Sequence, residues 1–424
     1  MNFSSIFLFE SEFASSLYPF SIMHCGWELR TGFFRNFEKI KAIFPDKRII
    51  FSGRDKHFNS FLKRYNCDSQ SIIKENLLVL NSAIVPNSAF FDELTAKYRQ
   101  FENNQNISKS ALFVHQGTPL AAYLSLEDII NPGELDKVFL PKILSEYNRL
   151  IPNIEIDKPD IINFLWESLD LVGKSIEDDF KLLDDSYYCP QNGNGIFIIN
   201  QNKVKIGQQT IIMPGVVIDA SDGPVIIGNH VKIMPNSVIF GPCSIGDNSL
   251  IKVGAKVYGN TAIGEYCKIG GEIENTIIHS YSNKQHEGFL GHSYICEWVN
   301  LGADTNTSDL KNTYSNIKVN FFRQEIETGR MFLGLLCGDH TKSAINTSFT
   351  TGTVVGIAGI IVADGFLPNY IPSFAWRGIK GCTQYKLDKA IETARIVMNR
   401  RNKILTDEEI ELMQIEYSEF KSSL

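Results

Sequence analysis

A period of six residues restricts this chain more than any other feature. Ile227, Ile233, Ile239, Ile245, Ile251, Val257, Ile263 and Ile269 stand six apart without a slip. Ile206, Ile212 and Ile218 keep the same spacing upstream, and the loop 220–224 absorbs a phase shift of three. Small or compact side chains follow four residues after many of them, as at Thr210, Ser237, Cys243, Ser249, Ala255 and Cys267. A helix, with period 3.6, cannot hold a six-residue stripe on one face, and a flat strand has no reason to mark every third inward position. A triangular prism satisfies the pattern. Each hexapeptide is one short strand and a corner, and three make a coil of about 18 residues stacked on the last. The pattern predicts a left-handed parallel β-helix over 196–376.

Two interruptions are expected. Residues 275–287 lose the phase and read as a projecting loop, with recovery at Ile295 and Leu301. Residues 304–330 break it again before Phe349, Val355, Ile361 and Leu367 resume it. Beyond the prism, residues 377–424 read as helical: Leu387, Ile391, Ala394 and Met398 keep helical spacing, and Thr406 with Glu409 forms a capping box.

Residues 1–160 lack the six-residue period. Aliphatic runs at 49–51, 77–80 and 111–114 alternate with helical stretches at 36–44 and 58–65, the rhythm of an α/β domain with a mostly parallel sheet. Residues 161–195 form a bridge and linker in which Leu165, Leu169, Val172 and Ile176 recur at helical spacing.

Composition excludes several classes. The chain of 424 residues is 43% hydrophobic and 21% charged, which rules out wholesale disorder. A net charge of −7 argues against a nucleic-acid partner. No apolar run approaches the ~18 residues of a spanning helix, so no membrane span is expected. Glu10 and Glu12 interrupt the apolar start and no basic segment precedes it, so no signal peptide is expected. Eight cysteines without any CxxC pair read as apolar fillers in a reducing, cytoplasmic compartment.

Several local motifs accompany this layout: Leu29-Arg30-Thr31-Gly32, Asn81-Ser82-Ala83, Lys174-Ser175-Ile176-Glu177-Asp178-Asp179-Phe180, Ser282-Asn283-Lys284 with His286, Gly288-Phe289-Leu290-Gly291, Asn300-Leu301-Gly302-Ala303, Gly338-Asp339-His340 and Ile371-Pro372-Ser373-Phe374. In these the chain resembles the sugar-1-phosphate nucleotidyltransferases, whose best-known form couples uridylyl transfer to acetylation of glucosamine 1-phosphate. The resemblance is to a divergent branch of that family, strong after residue 200 and weak before 150. It implies a trimer-forming transferase of the sugar-nucleotide pathway, acting on a sugar phosphate or nucleotide sugar with acetyl-CoA or another acyl-CoA as co-substrate. His286 takes the place of the general base, and an imidazole titrating near neutrality suits that task. Lys284, Phe289, Asn300, Gly302 and Ala303 take the places that hold substrate and acyl-CoA, with amides near Gly302 and Ala303 facing the oxyanion.

The sequence also departs from the family. Glu274 stands twelve residues before His286, where the family has a substrate-binding lysine, and Phe289 replaces a tyrosine. Asp304 and Asp309 stand where the divergent branch has Gly and Asn. The glycine-rich triphosphate loop is absent: Met23-His24-Cys25 precedes Arg30 and Gly32, the nearest nucleotide-binding candidates, and Asn81 replaces a metal-binding aspartate. Mg²⁺ is expected only if nucleotidyl transfer survives; otherwise no metal is implied. Gly53-Arg54-Asp55-Lys56 reads either as a phosphate cradle or as a solvated turn. Two alternatives remain. One is a non-catalytic trimeric assembly or regulatory protein with a degenerate nucleotide-sugar pocket. The other is a zinc site of the γ-carbonic-anhydrase kind, drawing on His279, His286, His292 and His340.

Overall fold

The computed structural model describes residues 1–67, 75–104, 109–128, 151–189, 191–321, 324–362, 365, 367–378 and 381–423. The chain divides into two units. Met1–Leu17, His24–Leu29 and Phe34–Asn163 form the first; Tyr18–Met23, Arg30–Phe33 and Phe164–Leu424 form the second. Two short N-terminal segments therefore belong with the prism, which no local pattern announces.

The first unit holds a six-stranded sheet of β1 (Ser5–Phe9), β2 (Arg48–Ser52), β3 (Leu77–Asn81), β4 (Ala111–His115), β5 (Thr118–Leu124) and β6 (Asn153–Glu155), in the order β2-β1-β3-β5-β4-β6. β1 runs parallel to β2 and β3, whereas β5 pairs antiparallel with β3 and β4. The unbroken apolar run of β3 has two cores to fill. Leu78 and Leu80 join Phe61 and Phe90 on one face, and Leu77 and Val79 join Leu112 and Leu124 on the other. Helices Asn36–Ile43, Asp55–Tyr65 and Ser88–Asn104 accompany the sheet. The β4–β5 hairpin turns at Gln116 and Gly117, both with positive φ (50° and 81°), as a two-residue hairpin turn requires.

The second unit is built on the prism, a left-handed parallel β-helix. Val225 pairs with Cys243 and Cys243 with Thr261, a repeat of 18 residues. Its walls are a nine-stranded sheet from Val204–Ile206 to Tyr370–Ile371, a six-stranded sheet from Phe197–Ile199 to Phe289–Gly291, and a third running from Ile211–Ile212 to Asn283–Lys284. The third wall resumes above at Lys342–Ser343, Ile360–Val362 and Ala375–Gly378. The period-six aliphatics fill the interior as one core, joined by Cys243 and Cys267. Burial pushes both thiols up to about 12, as expected of inert fillers.

Residues 275–287 are a correction. They do not project as a loop. Ile277–Ile278 and Asn283–Lys284 are strands, and the coil merely shortens: Ile263 pairs with Ile278, and Ile269 with Lys284, each 15 residues on. The period fails because corners lose residues while the walls continue. The second interruption, 304–330, still contributes a prism strand at Asn306–Thr307, parallel to Ser348–Phe349, and only beyond it inserts an antiparallel arm of Lys318–Phe321 and Gln324–Glu327. Gly381–Gln384 folds back antiparallel on the last rung. Helices Leu387–Asn399 and Asp407–Ser423 then pack Ala390, Ala394, Leu412 and Met413 on the Trp298, Ala358 and Phe374 corner residues. The Thr406–Glu409 capping box is formed by Thr406 N–H on Glu409 Oε2 (2.8 Å) and Glu409 N–H on Thr406 Oγ1 (3.2 Å).

One wall is covered by the chain itself. Ile226, Ser244, Ala262 and Tyr294 point outward from the nine-stranded sheet yet are 0% exposed. Helix Val172–Leu182 lies on this wall, and Phe20 packs edge-on against Tyr294 at 5.9 Å. The other two walls keep apolar side chains in solvent, among them Phe197 at 60% and Ile211 at 57% exposure. Truncating an interior hexad residue, Ile251→Ala, is expected to cost about 2–5 kcal/mol in denaturant unfolding. Ile404→Ala, at a side chain 84% exposed, is expected to change it by about 0.5 kcal/mol or less.

Candidate functional site

Arg30 and Gly32 lie inside the protein. Arg30 is 2% exposed, and its guanidinium donates to Glu265 Oε2 at 2.8 Å and to the carbonyls of Gly32 and Phe33. A Cβ on Gly32 would meet Asp179 Oδ2 at 2.4 Å and Ser175 Cβ at 3.1 Å, so only glycine admits helix Val172–Leu182 this closely. Ser175 Oγ–H donates to Thr31 Oγ1 (2.9 Å), and Asp179 accepts the Phe33 N–H (2.7 Å). The Leu-Arg-Thr-Gly and Lys-Ser-Ile-Glu-Asp-Asp motifs are thus two halves of one clasp. Their partners, Glu265 and Asp179, escape sequence reading because they lie 235 and 146 residues from the groups they bind.

In the first unit, a ligand crevice is expected at the carboxyl ends of β1 and β3, where the strand order reverses. Glu10 follows β1 there and is buried. Its Oε1 accepts the Gly26 N–H (2.8 Å) and an Arg54 guanidinium N–H (3.0 Å), while its Oε2 accepts the Arg54 backbone N–H (3.0 Å) and Nε–H (3.1 Å). Arg54 also donates to the His24 carbonyl at 2.8 Å. Gly53-Arg54 is therefore neither a phosphate cradle nor a solvated turn; it closes an internal ion pair. Asn81 Oδ1 is occupied by the Ala83 N–H at 3.0 Å. Mg²⁺ needs open carboxylate oxygens. Glu10 is neutralised by its own arginine and Asn81 is spent on the backbone, so these residues do not fit the ion.

The His286 motif forms a corner between the third and six-stranded walls. His286 is exposed, and among the described residues no side chain hydrogen-bonds its ring. Its neighbour Glu287 lies 3.5 Å from Lys256 Nζ. Lys284 occupies an interior hexad place, 2% exposed, with Nζ donating to the His286 carbonyl (2.5 Å) and the Glu287 carbonyl (3.0 Å). It ties the loop below the histidine and faces away from solvent. Burial brings its ammonium down to about 8, against the opposing pull of Glu287 and Asp304. Phe289 donates its N–H to Asn306 Oδ1 (2.8 Å) on the six-stranded wall. Asn300 bridges Asn283 and Lys342 on the third wall, accepting from Asn283 Nδ2 at 3.4 Å. Gly302 N–H is taken by Ser343 Oγ (3.0 Å), and the Ala303 carbonyl accepts the Asn346 N–H (2.8 Å). Gly302 is thus already committed as a donor, contrary to an open oxyanion role.

The remaining histidines differ in surroundings. His279 is 0% exposed, 2.9 Å from Glu297. His340 is buried and stacked on Trp298 at 6.2 Å between ring centres. His292 Nδ1 lies 2.8 Å from Asp309 Oδ2. Asp309 stood out in the sequence only as a departure; its pairing with a histidine 17 residues away needed the fold.

Residues 6–187 match the family model described as sugar nucleotidyl transferase. Over this segment the chain is similar to that family. The chain is 31% identical over 246 residues to the bifunctional protein GlmU of Methanococcus aeolicus, covering 58% of this chain and 54% of that protein. It is 34% identical over 98 residues to a bifunctional sugar-1-phosphate nucleotidylyltransferase/acetyltransferase of Sulfurisphaera tokodaii, 23% of this chain and 24% of the other. A UDP-N-acetylglucosamine acyltransferase structure from Campylobacter jejuni aligns at 13% identity over 52% of this chain and 93% of its own, with a TM-score of 0.22, too low to argue from. The chain spans about half the length of the first of these relatives. Among the described residues, no helix is long and apolar enough to cross a membrane.

The interior Lys284 yields a signed expectation. Its folded pKa lies below the unfolded value, so between about pH 8 and 10.5 the unfolded chain holds the proton that the folded chain has lost. Stability relative to Lys284→Met is therefore expected to rise through that window, as unfolding midpoints of the pair at pH 7.5 and ~10 would register.

Proposed function

We propose that the chain is a transferase of the sugar-nucleotide pathway whose chemistry resides on the prism. The carrying observation is that a left-handed prism with the His286 motif on an exposed corner continues directly from the sugar nucleotidyl transferase domain. The reaction is acyl transfer from acetyl-CoA or a related thioester to a sugar phosphate or nucleotide sugar. His286 removes the proton from the attacking amine or hydroxyl, whose lone pair adds to the thioester carbonyl; coenzyme A departs as the thiol. Ala303, Asn300 and Phe289 border the groove, and Lys284 holds the loop carrying His286. His286 has no orienting carboxylate from its own chain among the described residues, which supports a groove completed by a neighbouring prism. The two uncovered walls, carrying Phe197 and Ile211, are the surfaces for that contact in a homotrimer.

A second reading is favoured by the Glu10–Arg54 pair. With the crevice filled, the first unit is a relic of nucleotide-sugar binding, and without acyl transfer the trimer is an assembly or regulatory protein. One assay decides between them: thiol release from acetyl-CoA with sugar phosphates and nucleotide sugars as acceptors. Turnover is expected in the parent chain and a fall of about 10²-fold or more in His286→Ala, with acetyl-CoA affinity kept within about twofold. Equal turnover in the variant would remove His286 from the mechanism. No turnover with any acceptor would leave the assembly reading.

A further inference from the structure

A second polar cleft, of about 580 Å³, opens within the prism unit on the side of helix Val172–Leu182. That volume is the size of a small-molecule site. Gly173, Lys174 and Glu177 line it from the helix; Asn260, Asn275 and His292 line it from the prism. These last three are successive rungs of one corner: Asn275 N–H donates to the Gly259 carbonyl and His292 N–H to the Glu274 carbonyl. All three have left-handed backbones, with φ of 52°, 44° and 41°. Asparagine tolerates that conformation routinely. Histidine adopts the same backbone conformation at His230 and His340, so a distinguishing mark for His292 has to come from elsewhere.

The ring supplies one. His292 Nδ1–H donates to Asp309 Oδ2 at 2.8 Å, and the imidazole stacks on Phe332 at 5.1 Å. This fixes the ring, and in the neutral imidazole it places the proton on Nδ1 and the acceptor lone pair on Nε2. Among the described residues no hydrogen bond reaches Nε2. At one end, Arg330 donates to Asp170 Oδ2 (2.5 Å) and to the Trp166 carbonyl (3.1 Å), so its charge is neutralised. Glu177 and Asp222 add carboxylates along the rim. A Cβ on Gly173 would lie 2.4 Å from Asn260 Oδ1, so glycine is what lets the helix close on this corner.

We propose that this cleft binds an uncharged or cationic polyol of monosaccharide size, whose hydroxyls are read by Asn260, Asn275 and Nε2 of His292. The two amides, of which Asn275 Nδ2 also donates to Glu274 Oε1 (3.4 Å), and an oriented imidazole offer donors and acceptors at the spacing of stacked strands, about 4.8 Å. The lining sets three carboxylates, Asp170, Glu177 and Asp222, against two cations, Lys174 and Arg330, a balance that disfavours a phosphate ester and favours an ammonium. The site does not depend on His286, which occupies a different corner of the prism.

Ligand-observed saturation-transfer NMR on the full chain tests this with glucose, glucosamine and glucose 6-phosphate as probes. Glucose and glucosamine are expected to bind with dissociation constants of ~1 mM, glucosamine the tighter and the phosphate about tenfold weaker. His292→Gln is expected to lose about tenfold for both free sugars. The doubly exposed Glu177→Gln/Asp222→Asn variant is expected to keep glucose binding and abolish the preference for glucosamine. His286→Ala is expected to leave every value unchanged, which separates this site from the acyl-transfer reading. Absence of a signal from both free sugars, an unchanged signal in His292→Gln, or phosphate binding as tight as glucose overturns the proposal.

Discussion

The narrow interior of the prism governs everything else in the second unit. Each coil admits one inward aliphatic side chain near each corner, and strands stack about 4.8 Å apart, so a side chain's place in the hexad decides whether it is core, wall or corner. Ile245 and Ile263 can only be core. His286 and His292, at corners, stand outside that core. The chemistry available to the chain is therefore set by which residues stand at corners, and by what covers each wall.

Covering one wall from within the chain has a functional consequence. Ser175 and Asp179 bind Thr31 and Phe33 to helix Val172–Leu182, Arg30 ties the same segment to Glu265, and that helix buries the outward residues of the nine-stranded sheet. Residues placed where a nucleotide ligand was expected serve instead to fasten the fold. The Glu10–Arg54 pair acts similarly in the first unit, where it satisfies the crevice from inside. Both substitutions of structure for binding agree with the absence of a glycine-rich triphosphate loop at 23–25.

The prism was legible because its signal is local and repeated: eight aliphatics in phase leave one architecture. The alternation of strands and helices in the N-terminal unit was legible because it too is a local pattern. What sequence reading missed depends on contacts across long separations or on substitutions that hide a repeat. Lys284 fills an aliphatic place, and two shortened corners precede it, so an intact coil reads as a loop. The partners of Arg30 and His292 carry no local mark. Arg54 looked solvent-facing because its acceptor, Glu10, lies 44 residues earlier. The His286 corner was marked by its motif, while the better-oriented imidazole, His292, stood in the sequence only as one of four histidines open to a zinc site.

The central claim is that ligand chemistry has moved to the prism and that the N-terminal crevice is closed by its own ion pair. Parallel calorimetric titrations of the full chain with acetyl-CoA and with Mg²⁺·UTP test it most directly. The account predicts saturable heat from acetyl-CoA and none from Mg²⁺·UTP. Tight Mg²⁺·UTP binding with no response to acetyl-CoA would contradict it.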